Sequence, residues 1–192
     1  MSAVSLTTQF LRRPLMTGAV AASSRRLARA MTQHIGLEEA KLVVELGPGT
    51  GVFTDAVLGL LAPDARLMAI ELNPHLAERL VATRRDDRLT VVHGAAAELA
   101  RAAGGPVDAV VSGLPWTVMP PDERRRTLDA VVRALTPNGR FTTFAYLHAA
   151  WTPPGRRLAA DLRNRFHAVD RGPVVWPNLP PAFVHRAVSP RQ

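Results

Sequence analysis

From residue 38 onward, apolar and polar positions follow two alternating periods. The runs "KLVVELG" (41–47), "RLMAIEL" (66–72), "LTVVHG" (89–94), "VDAVVSG" (107–113) and "RFTTFAY" (140–146) are short, β-rich blocks. Between them lie 51–62, 74–85, 95–103 and 120–135, where apolar residues recur at helical spacing. Blocks of the first kind read as strands buried on both faces, and the second kind as amphipathic helices. Pro74 stands at a first-turn position. The 120–135 segment opens on prolines and acids and stops before Pro137-Asn138-Gly139, the expected order of helix signals. Strands alternating with helices predict an α/β fold: a Rossmann-like, doubly wound, mostly parallel sheet with helices on both faces.

The flanks break this rhythm. Residues 23–36 predict a helix with serine caps, a Leu27–Met31–Ile35 stripe and Gly36 as its stop. Residues 153–166 read as a basic helix. Residues 167–176 and 181–188 then read as two strands around the turn "PNLPP". They are expected to bring the sheet to seven strands through an antiparallel C-terminal addition. Residues 1–15 predict either loose structure or a short amphipathic helix around Phe10 and Leu11. With no linker or repeat, residues 1–192 are expected to form one domain: a basic lead (1–36), a core (38–150) and a basic helix with its strand pair (151–192).

Composition narrows the function classes. The chain has no cysteine, which excludes disulfides, a thiolate nucleophile and thiolate metal ligands. Its six histidines form no HxH or HxxxH pair, so no metal site is expected. No apolar run approaches the ~18–20 residues that span a bilayer. Arg12-Arg13 before "PLMTGAVAAS" imitates an export signal, but Pro14, Thr17 and Gly18 interrupt the apolar part, and a cytoplasmic protein is expected. The net charge of +8 is concentrated at the ends. Residues 1–37 hold five arginines and no acid, and residues 151–192 hold seven arginines and two aspartates. An anionic partner such as a membrane surface, RNA or a phosphorylated substrate would suit this pattern; plain solubility is the alternative.

The chemistry concentrates at strand ends. "VVELGPGTG" (43–51) is a strand emptying into a glycine-rich turn before a helix, where ligands bind in a doubly wound fold. The Gly47-x-Gly49-x-Gly51 spacing is tighter than the pattern that fits a pyrophosphate. Glu45 would repel a phosphate there but suits a cationic amine; alternatively it tethers the loop by hydrogen bonds. Glu71, with Leu72 at the end of the second strand, can bind both hydroxyls of a ribose. An amine, a ribose and no pyrophosphate together describe S-adenosylmethionine. The other reading of this turn is a Rossmann-type domain for NAD or a related nucleotide.

The motif resembles the first motif of class I S-adenosylmethionine-dependent methyltransferases. The resemblance implies that Gly94, Ala95 and Ala96 lie near the adenine. Ala95 replaces an acid often found there, so backbone groups would serve, with Glu98 a candidate substitute. "SGLPW" (112–116) ends the fourth strand and resembles the acceptor loop of amino-group methyltransferases, most nearly the form in bacterial phospholipid N-methyltransferases. Those proteins share a superfamily with the ribosomal-RNA adenine dimethyltransferases. On this resemblance Ser112, Gly113 and Leu114 hold the acceptor, and Ser112 also touches the cofactor. Trp116 faces a base or a cation, since an indole is a good face for an ammonium; plugging the core is its alternative. Tyr146 and His148 face the pocket or form its wall, and Arg156 and Arg157 pair with a lipid phosphate or stay solvated. "GAV" (18–20) resembles that family's lead, placing Gly18 and Ala19 over the cofactor, and "NLPPA" (178–182) resembles its C-terminal turn.

The expected activity is methyl transfer to the amine of an aminophospholipid such as phosphatidylethanolamine, with the basic ends against an anionic membrane. The alternative is a small-molecule amine methyltransferase of secondary metabolism, kept open by the unusual "FAYLHAAWTPPGRR" (144–157). An RNA adenine dimethyltransferase ranks third: Ser112 stands where Asn or Asp is usual, and no RNA-binding domain follows the sheet. A binding protein that has lost its chemistry is a further class, and Ala95 is its one support.

Overall fold

The computed structural model describes residues 23–191. The strands are β1 (Leu42–Leu46), β2 (Arg66–Glu71), β3 (Leu89–His93), β4 (Val107–Ser112), β5 (Leu135–Tyr146), β6 (Phe166–Arg171) and β7 (Ala182–Pro190). The helices are α1 (Arg25–Thr32), α2 (Val52–Leu58), α3 (Pro74–Thr83), α4 (Leu99–Ala103), α5 (Pro121–Ala134) and α6 (Pro153–Arg165). One seven-stranded sheet runs in the order β3-β2-β1-β4-β5-β7-β6. Neighbours from β3 to β5 pair in parallel, while β7 is antiparallel to both β5 and β6. The expected fold class is therefore observed. The reversal of strand order at β1 and β4 opens a crevice at their carboxyl ends, where this architecture binds ligands.

Alternation along the strands divides the core. Leu42, Val44 and Leu46 of β1 join a cluster with Leu128 and Val131 of α5 and Leu158 and Leu162 of α6. Val43, with Ala109 and Val111 of β4, packs on the other face against Leu27 and Met31 of α1 and Phe53 and Val57 of α2. This period-2 split lets an uninterrupted apolar strand bury both faces. It also decides which way Glu45 points: toward α2, on the Val43 side. Ion pairs fasten α6 to α5, with Arg124 Nε 3.0 Å from Asp161 and Arg165 Nη2 2.9 Å from Asp129.

Several boundaries differ from expectation. The side chain of Ser24 caps α1 by accepting from the Leu27 N–H, but the helix stops at Thr32. His34, at φ 64, takes the left-handed conformation that turns the chain, two residues before Gly36. The alanine-rich third helix is a 3-10 turn (Ala96–Glu98) leading into the short α4. β5 begins at Leu135 rather than 140, and its register against β4 jumps from Val107↔Leu135 to Ala109↔Arg140. Pro137-Asn138-Gly139 thus makes an irregularity inside a strand, where tertiary pairing overrides the turn signal. The predicted strand 167–176 ends at Arg171, leaving Val175 as an isolated bridge to Ala182. Gly172-Pro173 breaks the ladder because proline offers no N–H.

Candidate active site

At the carboxyl ends of β1 and β2, two carboxyl groups are buried. Glu45 is fully buried; its Oε2 accepts from Thr54 Oγ1 at 2.6 Å. Its Oε1 is also buried and has no hydrogen-bond partner among the described residues. Burial pushes the Glu45 carboxyl up to about 8, against the lowering effects of Thr54 and of the Arg84 charge. Glu71 is 2% exposed. Its Oε2 accepts from the Gly49 N–H at 3.0 Å and its Oε1 from the Asn73 N–H at 2.9 Å. Desolvation raises its pKa, and these backbone donors oppose the rise. The loop tether weighed for Glu45 is therefore supplied by Glu71, while Glu45 holds α2.

The glycine turn is fixed from outside by a residue that sequence reasoning missed. Arg84, just past α3, donates from Nη2 to the Thr50 carbonyl at 3.0 Å. Its Nε and Nη2 also reach the two carboxylate oxygens of Asp55 at 2.6 and 3.0 Å. This bidentate fork fits arginine and not lysine. No local pattern marks Arg84, because its partners lie about thirty residues away.

A cleft of about 320 Å³ opens along the same edge. Gly47, Glu71, Leu72, Gly94, Ala95 and Ala96, all predicted cofactor residues, line it together with Leu114. Glu123, Arg126 and Thr127 of α5 close its other wall, and no sequence signal pointed to them. Beside Ala95, the carboxylate of Glu98 folds back over Gly94: a Cβ added there would lie 3.3 Å from Glu98 Oε2. Glu98 also pairs with Arg101 at 3.1 Å. His93 Nε2 lies 3.2 Å from the Leu72 carbonyl oxygen, joining the ends of β2 and β3.

The acceptor loop is built differently from expectation. Trp116 is 1% exposed, packed edge-on against Phe141 and donating from Nε1 to Ser112 Oγ at 3.1 Å. Ser112 is fully buried, and its carbonyl accepts from Thr143 Oγ1 at 3.1 Å. The indole and the Ser112 hydroxyl thus satisfy each other beneath the loop, and neither presents a face to an acceptor. Gly113 is half-buried. A Cβ there would stand 2.7 Å from the Gly47 carbonyl oxygen, which explains the small residue after Ser112.

Tyr146 and His148 do not line the cleft. They continue a row of rings from the end of β5. Phe53 meets Phe144 edge-on at 5.9 Å, Phe144 meets Tyr146 at 5.4 Å, and Tyr146 stacks on His148 at 5.7 Å. Tyr146 is half-buried, and desolvation raises its pKa; His148 is exposed. Phe53, a further missed residue, directly follows the first residue of α2. Gly18 and Ala19 lie outside the described residues.

Comparison with known proteins decides the family. Residues 43–139 match a family described as a methyltransferase domain. The chain is 33% identical over 180 residues to ornithine lipid N-methyltransferase of Singulisphaera acidiphila, with 91% of this chain and 89% of that one covered. The chain belongs to the methyltransferase family. It is similar in fold to the O-methyltransferase TomG of Streptomyces achromogenes in complex with S-adenosylmethionine, with a TM-score of 0.69 and 16% identity over 94% of this chain and 88% of that one. A third relative, ribosomal RNA small subunit methyltransferase A of Leifsonia xyli subsp. xyli, is 38% identical over 99 residues, covering 48% of this chain and 34% of that one.

This methyltransferase uses S-adenosylmethionine, and its residues fit that cofactor. An acid with one unpartnered buried oxygen suits an amine, and a carboxylate at the end of β2 suits a ribose. The space over Gly49 is open, with nothing within 4 Å of an added Cβ. Among the described residues no cluster could hold a metal ion, and no helix is long and apolar enough to cross a membrane.

Proposed function

We propose that this methyltransferase acts on the amine of an aminolipid, such as ornithine lipid or phosphatidylethanolamine. The likeness to ornithine lipid N-methyltransferase carries this reading, because it extends over nine-tenths of the chain and is not confined to the cofactor core. The likeness to ribosomal RNA methyltransferase A covers only about half of the chain.

When bound, S-adenosylmethionine supplies an electrophilic methyl on a sulfonium. Glu45 Oε1 receives its amine, and an ammonium there would draw the Glu45 proton off by favouring the ionised form. Glu71 takes the ribose hydroxyls, and Glu98 with backbone groups at 94–96 takes the adenine edge. Gly113 and Leu114 form the floor beneath the acceptor amine, with the Gly113 carbonyl accepting one of its N–H bonds. Ser112 and Trp116 act from below as positioning residues, fixing the loop through their mutual hydrogen bond. Phe144 and Tyr146 wall the acceptor side, and His148 takes the proton that an ammonium must shed before it can attack. Rate then comes from holding the nitrogen lone pair in line with the methyl. The protein is cytoplasmic and meets its lipid at the membrane surface.

The test is transfer of labelled methyl from S-adenosylmethionine to ornithine lipid vesicles, phosphatidylethanolamine vesicles, ribosomal RNA and a panel of small amines, each alone. Label in an aminolipid is the expected result. Label only in small amines or only in RNA would replace the lipid assignment.

A further inference from the structure

Five large apolar side chains are exposed among the described residues: Val81 and Val118, at 58% and 53%, and three that are more exposed still. Trp151, Trp176 and Leu179 are 64%, 65% and 73% exposed. Trp176 and Leu179 are near neighbours in sequence, and the fold brings the segment that carries Trp151 beside theirs. β7 runs antiparallel to β5 with Tyr146 opposite Ala182, so the segment before β7 meets the segment after β5. The Leu147 N–H donates to the Pro181 carbonyl at 2.8 Å, tying the two segments together. Asn178 shapes the second one, donating to the Pro180 carbonyl at 2.8 Å and accepting from the Ser24 N–H at 2.9 Å. The two tryptophans and the leucine therefore stand on a braced rim at the carboxyl edge of the sheet, beside the aromatic row that ends in Tyr146 and His148.

The segments that carry this rim are basic, and the adjoining Asp170 is paired with Arg186 at 3.4 Å. Residues 146–160 and 171–192 contain no aspartate or glutamate. Arg156 and Arg157, both exposed, open α6 directly after Trp151. Exposed indoles are costly in water and well placed at a lipid–water interface, where the ring meets acyl chain and headgroup together. Arginines beside them add attraction to anionic headgroups. A protein partner would be expected to meet a patch with a more mixed polar border.

We propose that the Trp151–Trp176–Leu179 rim is the surface by which the protein docks on an anionic bilayer, with the mouth of its site facing the lipid. The inference rests on the aminolipid reading for its purpose, although docking itself is measured without any methyl acceptor. A patch of this size gives reversible attachment and not permanent anchoring.

The chain has three tryptophans, and Trp116 is buried, so emission reports mainly on the rim. Full-length protein is titrated with phosphatidylcholine vesicles containing phosphatidylglycerol, and with the same vesicles carrying acyl-brominated lipid. The expected result is a blue shift, quenching by bromine, and weakening as salt rises. Trp151→Ala combined with Trp176→Ala should lower sedimentation with these vesicles at least tenfold. S-adenosylmethionine affinity, which reports correct folding, and methylation of a short-chain aminolipid dissolved as monomers should both be unchanged. The proposal is overturned if wild-type emission ignores the vesicles, or if the double variant sediments as well as wild type. Self-association of wild type that the variant abolishes, with no vesicle binding, would make the rim an interface between copies. Vesicle binding without methylation of any aminolipid would leave the docking surface standing and remove the substrate assignment.

Discussion

At the β1–β2 end of the site, polar groups are almost all paired: the buried Glu45 with Thr54, the buried Glu71 with two backbone N–H groups, and the partly exposed Arg84 with Asp55 and the Thr50 carbonyl. At the β5–β7 end the side chains are rings, with Tyr146 half-buried and His148 exposed, while Trp151 and Trp176 stand outside them on the rim. The first end must recognise a fixed, charged cofactor, which requires preset hydrogen bonds in a low-dielectric setting. Under the proposed function the second receives the acceptor, where shape with apolar contact would serve. One sheet edge thus holds a polar, hydrogen-bonded half and an aromatic half.

The largest expected effect removes the first half altogether. Gly49 sits at φ 56 in open space at the crevice. Gly49→Val places a β-branched residue in a left-handed conformation and fills the room for the cofactor. Calorimetry should find S-adenosylmethionine binding abolished while the fold persists, and near-normal affinity would move the site elsewhere. Trp116→Ala should act on both halves through stability, costing about 3–5 kcal/mol as a large buried ring is deleted. A variant with wild-type unfolding midpoint but impaired turnover would return the indole to the acceptor face.

Glu71→Ala should weaken cofactor affinity by about 1–3 kcal/mol, the range for hydrogen bonds involving a charged group and for the orphaned Gly49 and Asn73 donors. Unchanged affinity would remove the ribose role.

Glu45 gives a pH signature confined to the same half. The folded protein holds its proton up to about 8, whereas the unfolded chain releases it near 4.5. Protons bound then favour the native state, so this contribution is complete below the lower value and declines as pH rises toward 8. Denaturant titrations of cofactor-free protein should show stability falling across that window, and Glu45→Gln should flatten the fall. A parallel decline in the variant would assign it to another group.

The smallest effect tests the aromatic half. His148→Gln should lower turnover a few-fold at neutral pH, less at alkaline pH where the amine arrives neutral, and leave cofactor affinity intact. A pH-independent loss would make His148 a wall residue.

Much of the polar half could be read from the chain. A strand emptying into Gly47-x-Gly49-x-Gly51 and an acid closing the next strand are local events, coded within about thirty residues. The aromatic half was less legible. Trp116 read as an acceptor face because its sequence neighbours form the loop, but its environment is set by Phe141 across the sheet. Ser112 reads as an acceptor group from its place at the strand end, but Thr143 and the indole occupy its carbonyl and hydroxyl. Arg84 and the α5 wall of the cleft had no signature, since each reaches the site across a distance that local spacing does not encode, and Phe53 had none because its ring partner Phe144 lies on β5.

The sequence by itself determined the alternation of strands and helices, the cofactor turn and the two carboxyl groups beside it. These follow from periodicity and from backbone conformations that few residues adopt. Only the tertiary structure decided which side chains face the crevice and which support it from below. It also decided that Trp151, Trp176 and Leu179 share one rim. Burial and partnership depend on which strands become neighbours, and the antiparallel return of β7 beside β5 is a choice of the whole sheet.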